Sequence, residues 1–239
     1  MGTVAEVLAC TKDFLGIDLS GEEIELFEKY GRILRSEGQK VNLTSIYDEK
    51  EVAVKHFIDS VSCLRAGCFF SGARVIDVGS GAGFPGVPLK IVRPDLNVYL
   101  LEAQEKKARF LRLLVSELGL SNVYILNGRA ETLGNDAEHR EKYDVALARA
   151  VAEMAVLAEL CLPFVKVGGY FLALKGPGAG EEVKRAHGAI KILGGRVDFT
   201  QEYVLPVLGG QRKIIAVKKV GSTPPKYPRR AGIPKKRPL

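Results

Sequence analysis

The chain has 239 residues, of which 46% are hydrophobic and 26% are charged. These proportions are ordinary for a globular chain with a large core, as one elaborated domain or one domain plus an extension. No apolar run reaches the roughly 18 residues that a membrane-spanning helix needs. The N-terminus also lacks a basic stretch followed by an apolar segment. We therefore expect a cytoplasmic protein that does not enter a membrane.

The cysteine and histidine residues do not form a metal-binding pattern. No pair of them has the spacing of a zinc site, so we predict no metal. The cysteines have apolar or helical neighbours, and we expect reduced, buried thiols. These residues are Cys10, Cys63, Cys68, Cys161, His56, His139 and His187.

The N-terminal part of the chain is predicted to be helical. Ser20 and Glu23 have the spacing of a capping box in front of an apolar helical pattern. Asp48 and Glu51 repeat this spacing, which predicts a helix over about 49–65.

From residue 73 onward, short β-branched runs alternate with helical ones. This alternation is typical of a parallel sheet with helices on both faces. The last two strands have no room for a helix between them, so we expect an antiparallel hairpin around Gly209 and Gly210. We predict an α/β fold with a doubly wound, seven-stranded, mostly parallel sheet and an N-terminal helical extension. The predicted strands are Arg74 to Val78, Asn97 to Glu102, Val123 to Asn127, Asp144 to Ala148, Tyr170 to Lys175, Val197 to Leu205 and Lys213 to Lys219.

A glycine-rich turn follows the first strand and carries the strongest functional signal. Its glycines Gly79, Gly81 and Gly83 let the backbone approach a ligand closely, and a helix N-terminus follows with unpaired N–H groups. The same stretch fits a dinucleotide motif, but the carboxylate of Asp77 would lie beside the negative pyrophosphate. An acid there suits a cationic ligand such as S-adenosylmethionine. A seven-stranded sheet with an antiparallel end is also the class I variant of S-adenosylmethionine-dependent methyltransferases.

Two further strand ends fit the same cofactor. Glu102 ends the second strand, where an α/β nucleotide site places the acid that accepts hydrogen bonds from ribose hydroxyls. Ala130 and Glu131 follow the third strand, where they are predicted to bracket an adenine. The alternative for this second segment is an ordinary loop.

The remaining candidate side chains leave their roles open. Arg149 follows the fourth strand, where amine methyltransferases carry an Asn or Asp, two prolines and an aromatic residue; that motif is absent. Arg149 can bind a cofactor carboxylate, a phosphate or a base edge, or form a surface salt bridge. His56 and Asp59 are one helical turn apart and are assigned a structural or positioning role in preference to a catalytic one. Lys175 is a candidate substrate contact or a solvated lysine.

Residues 221–239 form a basic, proline-rich tail, which follows a helical extension (1–70) and a cofactor domain (71–220). Six of the seven net positive charges lie in this tail. Lysine and arginine release counterions from phosphates, and a tyrosine ring can stack on a base. RNA binding is therefore favoured over a solubilising disordered end. The candidate RNA-binding residues are Lys226, Tyr227, Arg229, Arg230, Lys235, Lys236 and Arg237.

Several segments that span nearly the whole chain form one specific pattern. They are Asn42-Leu43-Thr44, His56-Phe57-Ile58-Asp59-Ser60, the stretch from Asp77 to Gly86, Gly128-Arg129-Ala130-Glu131, Ala148-Arg149-Ala150, and Tyr227-Pro228-Arg229-Arg230 with Gly232 and Pro234. In these segments the chain resembles the bacterial small-subunit ribosomal RNA guanine-N7 methyltransferase G family, formerly called glucose-inhibited division protein B.

The resemblance implies cofactor contacts at Gly79, Phe84, Ala130, Glu131 and Arg149, and a target guanine in a conserved loop of 16S ribosomal RNA. Guanine N7 holds a lone pair and no proton, so direct in-line attack on the sulfonium methyl needs no general base. We expect a monomer that acts on this RNA or on the small ribosomal subunit.

Two other functions remain open at this stage. A methyltransferase for a small molecule or protein would use the same cofactor site but has little need of a basic tail. A nicotinamide-dependent dehydrogenase or non-catalytic nucleotide-binding module would use the dinucleotide motif instead.

Overall fold

The structure is a computed structural model that describes residues 4–9, 11–149 and 152–239. Seven strands form one sheet in the order β3-β2-β1-β4-β5-β7-β6, in which β7 alone runs antiparallel to its two neighbours. This confirms the predicted fold class. The strands are β1 (Arg74–Val78), β2 (Asn97–Glu102), β3 (Val123–Asn127), β4 (Tyr143–Arg149), β5 (Val165–Lys175), β6 (Gly195–Val204) and β7 (Gln211–Lys219).

Helices precede the sheet and cover both of its faces. The N-terminal helices are α1 (Val4–Leu8), α2 (Thr11–Leu15), α3 (Gly21–Gly38), α4 (Glu49–Val52) and α5 (Asp59–Val61), with a π-helical segment at Ala53–Ile58 and 3₁₀ segments at Gln39–Val41 and Ser62–Ala66. The later ones are α6 (Gly86–Val92), α7 (Glu105–Glu117), α8 (Ala130–Leu133), α9 (Met154–Cys161), α10 (Ala179–Ile192) and α11 (Ile233–Lys236), with a 3₁₀ turn at Leu162–Phe164.

Both predicted helix starts are confirmed. The Ser20 amide donates to Glu23 Oε2 over 2.7 Å, and the Glu23 amide donates to Ser20 Oγ over 3.2 Å. Asp48 Oδ1 accepts from the Glu51 amide at 2.9 Å. The predicted helix over about 49–65 is present as a helical run whose middle is π-helical, a form that often occurs at functional sites.

Successive residues of the strands point to opposite faces, so the sheet separates two hydrophobic clusters. Val75 packs in the cluster that contains Phe27 and Phe57 of the N-terminal helices. Ile76 packs in the opposite cluster with α9 and α10. The N-terminal helices therefore share a core with the sheet, and this fixes them beside the carboxyl ends of its strands.

The largest error in the strand prediction is at β5, which begins at Val165 rather than Tyr170, whereas the limits of β4, β6 and β7 differ from the predicted ones by one or two residues. The first half of β5 contains Gly168 and Gly169, which favour a turn in the sequence. In the fold a register irregularity between Tyr143 and Val145 accommodates this half. A Cβ on Gly169 would lie 2.4 Å from a backbone oxygen of β4, so close strand contact requires glycine here.

The basic tail is folded against the domain. Tyr227 is only 7% exposed and packs in the same cluster as α9. Its ring is therefore not free to stack on a base, which corrects the expectation from the sequence. In the described part of the chain, no helix is both long and apolar enough to cross a membrane.

Candidate active site

The glycine turn after β1 is held by two carboxylates. Asp77 Oδ2 accepts a 3.0 Å hydrogen bond from the Gly86 amide beneath the turn. Glu102 accepts from the amides of Gly81 and Gln104 at 3.0 and 2.8 Å. Gly79 and Gly81 have φ angles of +80° and +56°, which other residues rarely adopt. The turn therefore presents backbone rather than side chains to the ends of the strands.

One cavity of about 500 Å³, here called cavity 1, opens where β1, β2 and β3 end. The carboxylate of Glu102 lies in its wall, and Val156 and Leu160 of α9 supply apolar surface. These groups match a ligand with hydroxyls and a flat apolar ring. Other lining residues are Gly79, Gly81, Gln104, Lys107, Gly128, Arg129, Ala130, Glu131, Arg149, Gly232 and Lys235.

A second cavity of about 500 Å³, cavity 2, lies on the other side of the glycine turn. It shares Gly79, Gly81 and Arg149 with cavity 1, so the two spaces adjoin at these residues. Its other walls come from the glycine turn, the N-terminal helices and the loop before α4, β5, α10 and β7. They include Thr44, Lys55, His56, Asp59, Ser80, Phe84, Lys175, Glu182 and Arg212.

Arg149 ends β4 and is fixed between the two cavities. Its Nη1 donates to the carbonyl of Lys55 at 2.9 Å and to Asp59 Oδ2 at 3.1 Å. Its guanidinium also lies 4.8 Å from the ring centroid of Phe84, in cation–π contact. The π-helical segment contributes the Lys55 carbonyl, so this irregular helix helps to orient the arginine.

Asp59 is 5% exposed and binds groups from three elements. Besides Arg149, it contacts Arg212 Nε of β7 at 3.3 Å and accepts from the Tyr203 hydroxyl of β6 at 3.1 Å. These contacts identify the residues that Asp59 would position: Arg149, Arg212 and Tyr203. Sequence reasoning missed Arg212 and Tyr203, because no local pattern links residues of the terminal hairpin to an N-terminal helix.

His56 is a neutral, oriented group in the wall of cavity 2. Burial, reinforced by the positive charge of Arg149, lowers the pKa of its imidazole to about 3. Its ring stacks on Phe84 with centroids 4.5 Å apart, and Nε2 lies 2.9 Å from Thr44 Oγ1. Such a weakly basic imidazole is poorly suited to remove a proton at neutral pH.

Lys175 is held at the end of β5 and is not a solvated side chain. Its ammonium donates to the carbonyl of Ala152 at 2.7 Å and pairs with Glu182 at 2.6 Å. The side chain is 10% exposed. Ala150 and Val151, which follow Arg149 in the sequence motif, lie outside the described residues.

Comparison with known proteins supplies the family. The family model described as "GidB: rRNA small subunit methyltransferase G" matches residues 23–215. The chain belongs to this family. A protein of Pelotomaculum thermopropionicum named ribosomal RNA small subunit methyltransferase G is 50% identical over 239 residues, which is all of both chains. A protein of the same name from Desulforamulus reducens is 47% identical over 93% of this chain and 92% of its own length.

Solved structures agree on the fold. A crystal structure of a SAM-dependent methyltransferase from Aquifex aeolicus has a TM-score of 0.52 at 22% identity, over 74% of this chain and 97% of that one. A crystal structure of TrmN from Thermus thermophilus has a TM-score of 0.54 at 19% identity, over 68% of this chain and 48% of that one. The fold is that of class I methyltransferases, and the cofactor of the family is S-adenosylmethionine. The dehydrogenase alternative is thereby set aside.

Three residues that the sequence predicts as cofactor contacts do not line cavity 1. Asp77 and Gly83 line neither cavity, and Phe84 lines only cavity 2. Asp77 is fully buried, and this burial raises the pKa of its carboxyl to about 7. A Cβ on Gly83 would lie 2.8 Å from the Tyr30 hydroxyl, so its small size serves packing. These two residues support the turn from below.

The three cysteines that the structure describes line neither cavity. Cys63 and Cys161 are buried, and burial raises the pKa of both thiols well above the usual range. Cys68 is only half-buried, which corrects the prediction for that residue. Cys10 lies outside the described residues. Among the residues that the structure describes, no group of three or more His, Cys, Asp and Glu side chains could hold a metal ion.

Proposed function

We propose that this protein transfers a methyl group from S-adenosylmethionine to N7 of a guanine in 16S ribosomal RNA, on the RNA or in the small subunit. Membership of the small-subunit rRNA methyltransferase G family supports the RNA substrate. The chemistry of cavity 2 supports N7 as the target atom. We further propose that the protein acts as a monomer.

In this proposal cavity 1 holds the cofactor. Glu102 accepts hydrogen bonds from the ribose hydroxyls, while Ala130 and Glu131 lie against the adenine. The backbone of Gly79 and Gly81 approaches the methionine part, whose carboxylate pairs with Arg149. When bound, the cofactor supplies a methyl group carried on a positively charged sulfur.

Cavity 2 accepts the guanine. Because the two cavities meet at Gly79, Gly81 and Arg149, a base in cavity 2 faces the cofactor across this shared wall. Lys55, Lys175 and Arg212 join Arg149 as cations around cavity 2, whereas its described acids are Asp59 and Glu182. The positive excess favours a substrate with phosphates. An unpaired or flipped nucleotide is needed, because A-form RNA hides N7 in its deep groove.

The observation that carries the N7 assignment is the state of the protonatable groups around cavity 2. Asp59 is paired with two arginines, Glu182 is paired with Lys175, and His56 is a very weak base. None of the described lining residues is thus a free general base, and none is a cysteine. An amine or a hydroxyl must lose a proton during methylation, but guanine N7 has a free lone pair and no proton. Positioning and charge stabilisation then suffice for catalysis.

Lys175 is the best-placed donor for guanine O6. A lysine ammonium has three N–H groups, and Ala152 and Glu182 take two of them. The third remains to bind O6, while N7 stays free to attack. Arg149 uses its Nη1 within the protein, and in this proposal the rest of its guanidinium pairs with the cofactor carboxylate, so it is not assigned to O6.

Several cations of the C-terminal segment are proposed to contact RNA outside the cavities. Arg229 is excluded from this set, because Glu159 pairs with its guanidinium at 2.6 Å. The exposed candidates outside both cavities are Lys226, Arg230, Lys236 and Arg237, whereas the exposed Lys235 lines cavity 1.

The test is transfer of labelled methyl from S-adenosylmethionine to small-subunit RNA or particles from cells that lack the gene. Reduction and aniline treatment then cleave RNA at 7-methylguanosine. One new cleavage site at a guanine is the expected result. Label in RNA without cleavage would reject N7. Label only in protein or small molecules would favour the alternative substrate class.

A further inference from the structure

The C-terminal strap, defined as residues 221–239, is anchored at its middle by a buried ion pair. Arg229 Nη2 lies 2.6 Å from Glu159 Oε2, and Arg229 Nε donates to Glu159 Oε1 at 2.9 Å. The Glu159 side chain on α9 is 1% exposed, and it also accepts from the Arg229 amide at 2.9 Å. A bidentate pair of this kind fixes orientation as well as distance.

Hydrogen bonds to its backbone fix the start of the strap. Arg140 donates to the carbonyls of Thr223 and Tyr227 at 2.7 and 2.8 Å. Asn135 Nδ2 donates to the carbonyl of Pro228 at 3.0 Å. Since Tyr227 is also buried, the strap reaches the domain along a defined path.

This path ends at cavity 1. The amide of Gly232 donates to Glu131 Oε1 at 2.9 Å, directly in front of α11. Gly232 has a φ of +82°, a conformation that glycine adopts without strain. Gly232 and Lys235 both line cavity 1, together with Glu102 and Ala130.

We propose that the strap forms one wall of the cofactor site, where Gly232 and Lys235 contact S-adenosylmethionine. This inference rests on the proposed placement of the cofactor in cavity 1. The strap then determines cofactor affinity even when no RNA is present. Lys235 brings N–H donors to a ligand that offers adenine nitrogens and ribose oxygens as acceptors. The basic segment thus has a second role besides the RNA contacts of its exposed cations.

A matched pair of glycine substitutions tests the wall. Gly232→Ala and Gly72→Ala both place a Cβ at a positive φ, +82° and +78°, and neither Cβ meets an atom within 4 Å. The local strain is therefore similar, but only Gly232 lies at cavity 1. Calorimetric titration with S-adenosylhomocysteine is expected to give roughly fivefold weaker binding for Gly232→Ala than for Gly72→Ala.

A second pair tests the lysine. Lys235 and Lys236 are exposed neighbours on α11, and only Lys235 lines cavity 1. Lys235→Ala is expected to weaken S-adenosylhomocysteine binding by about fivefold, whereas Lys236→Ala leaves it unchanged. Both substitutions are at the surface, so both proteins are expected to fold.

The proposal is overturned if Gly232→Ala and Lys235→Ala both bind S-adenosylhomocysteine within twofold of the unmodified protein. The proposal is also overturned if Lys235→Ala binds RNA more weakly than the unmodified protein but binds S-adenosylhomocysteine equally well. Glu102→Gln, measured in the same titration, separates two causes of failure. If it weakens binding while the strap variants do not, the strap is not part of the site. If it also has no effect, the cofactor does not occupy cavity 1.

Discussion

Cavity 1 and cavity 2 have similar volumes, about 500 Å³ each, but they are assembled in different ways. Most of cavity 1 is built from short segments at the ends of β1, β2 and β3, and four of its lining residues are glycines. Cavity 2 is built from side chains of separate elements, and ion pairs hold them in place. The first design suits one invariant ligand, because backbone and glycine turns fix its shape. The shape of cavity 2 can change more readily, because the position of each side chain depends on an ion pair with a residue from another element.

Substitution of Arg149, which lines both cavities, is expected to have the largest effect. Arg149→Ala removes a positioned cation from cofactor and substrate together, so kcat/KM for methyl transfer is expected to fall about 10³-fold. Single-turnover assays and cofactor titration measure the two losses separately. Arg149→Lys is the matched control. It keeps the positive charge but loses the planar guanidinium that can bind a carboxylate through two N–H groups, so it should recover only part of the activity. A loss below tenfold in Arg149→Ala would contradict the assignment.

Glu102→Gln is expected to affect cavity 1 alone. Gly81 and Gln104 donate to the carboxylate, and an amide has only one oxygen to replace its two acceptors. Affinity for S-adenosylhomocysteine is expected to fall by roughly 10- to 100-fold, as for loss of hydrogen bonds to a charged group. The control is Glu138→Gln, an exposed acid that lines neither cavity. If RNA affinity without cofactor fell as well, the two cavities would not be independent.

Arg212→Ala is expected to affect mainly cavity 2. Loss of one cation should weaken RNA binding by about tenfold and lower the salt dependence by about one unit. Cofactor affinity should change less than RNA affinity, because Arg212 does not line cavity 1 and is linked to it only through Asp59 and Arg149. Arg196→Ala removes an exposed arginine of β6 that lines neither cavity, and it serves as the control in filter-binding titrations at several salt concentrations. Equal RNA affinities of the two variants would argue against cavity 2 as the RNA site.

Asp77→Asn is expected to change stability more than either binding function. Burial raises the pKa of this carboxyl from 3.8 to about 7. Between these values the folded protein keeps a proton that the unfolded chain releases, so this group destabilises the fold as pH rises from about 4 to 7. An asparagine carries no such titration. The free energy of unfolding of Asp77→Asn, relative to the unmodified protein, should therefore increase by on the order of 2–4 kcal/mol between pH 4 and pH 8.

Urea unfolding at both pH values measures this difference, and the contributions of other titrating groups cancel in the comparison. A relative stability that does not change with pH would show that Asp77 ionises normally in the folded protein.

The two cavities also differ in how far the sequence predicted them. The sequence predicts that Glu102, Ala130 and Glu131 lie at one edge of the sheet, because parallel strands bring their carboxyl ends together, and all three line cavity 1. Arg212 and Tyr203 were not foreseen, because contacts between the terminal hairpin and an N-terminal helix leave no periodic signal. The sequence also predicts that Asp77 faces the ligand, but its side chain is buried and lines neither cavity. The alternation of side chains along a strand does not specify whether the side chain near the end of that strand points towards the ligand or beneath the turn.

The sequence by itself determined the local structure and the order of the elements. Helix caps at Ser20 and Asp48, the strand limits of β1, β2 and β3 and the terminal hairpin all depend on neighbouring residues. Only the tertiary structure decided that the basic tail is a strap with Tyr227 buried and Arg229 paired to Glu159. Composition reports how much charge a segment carries. Whether a charge faces RNA or a buried carboxylate depends on the free energy of contacts between residues far apart in the chain, which no local pattern records.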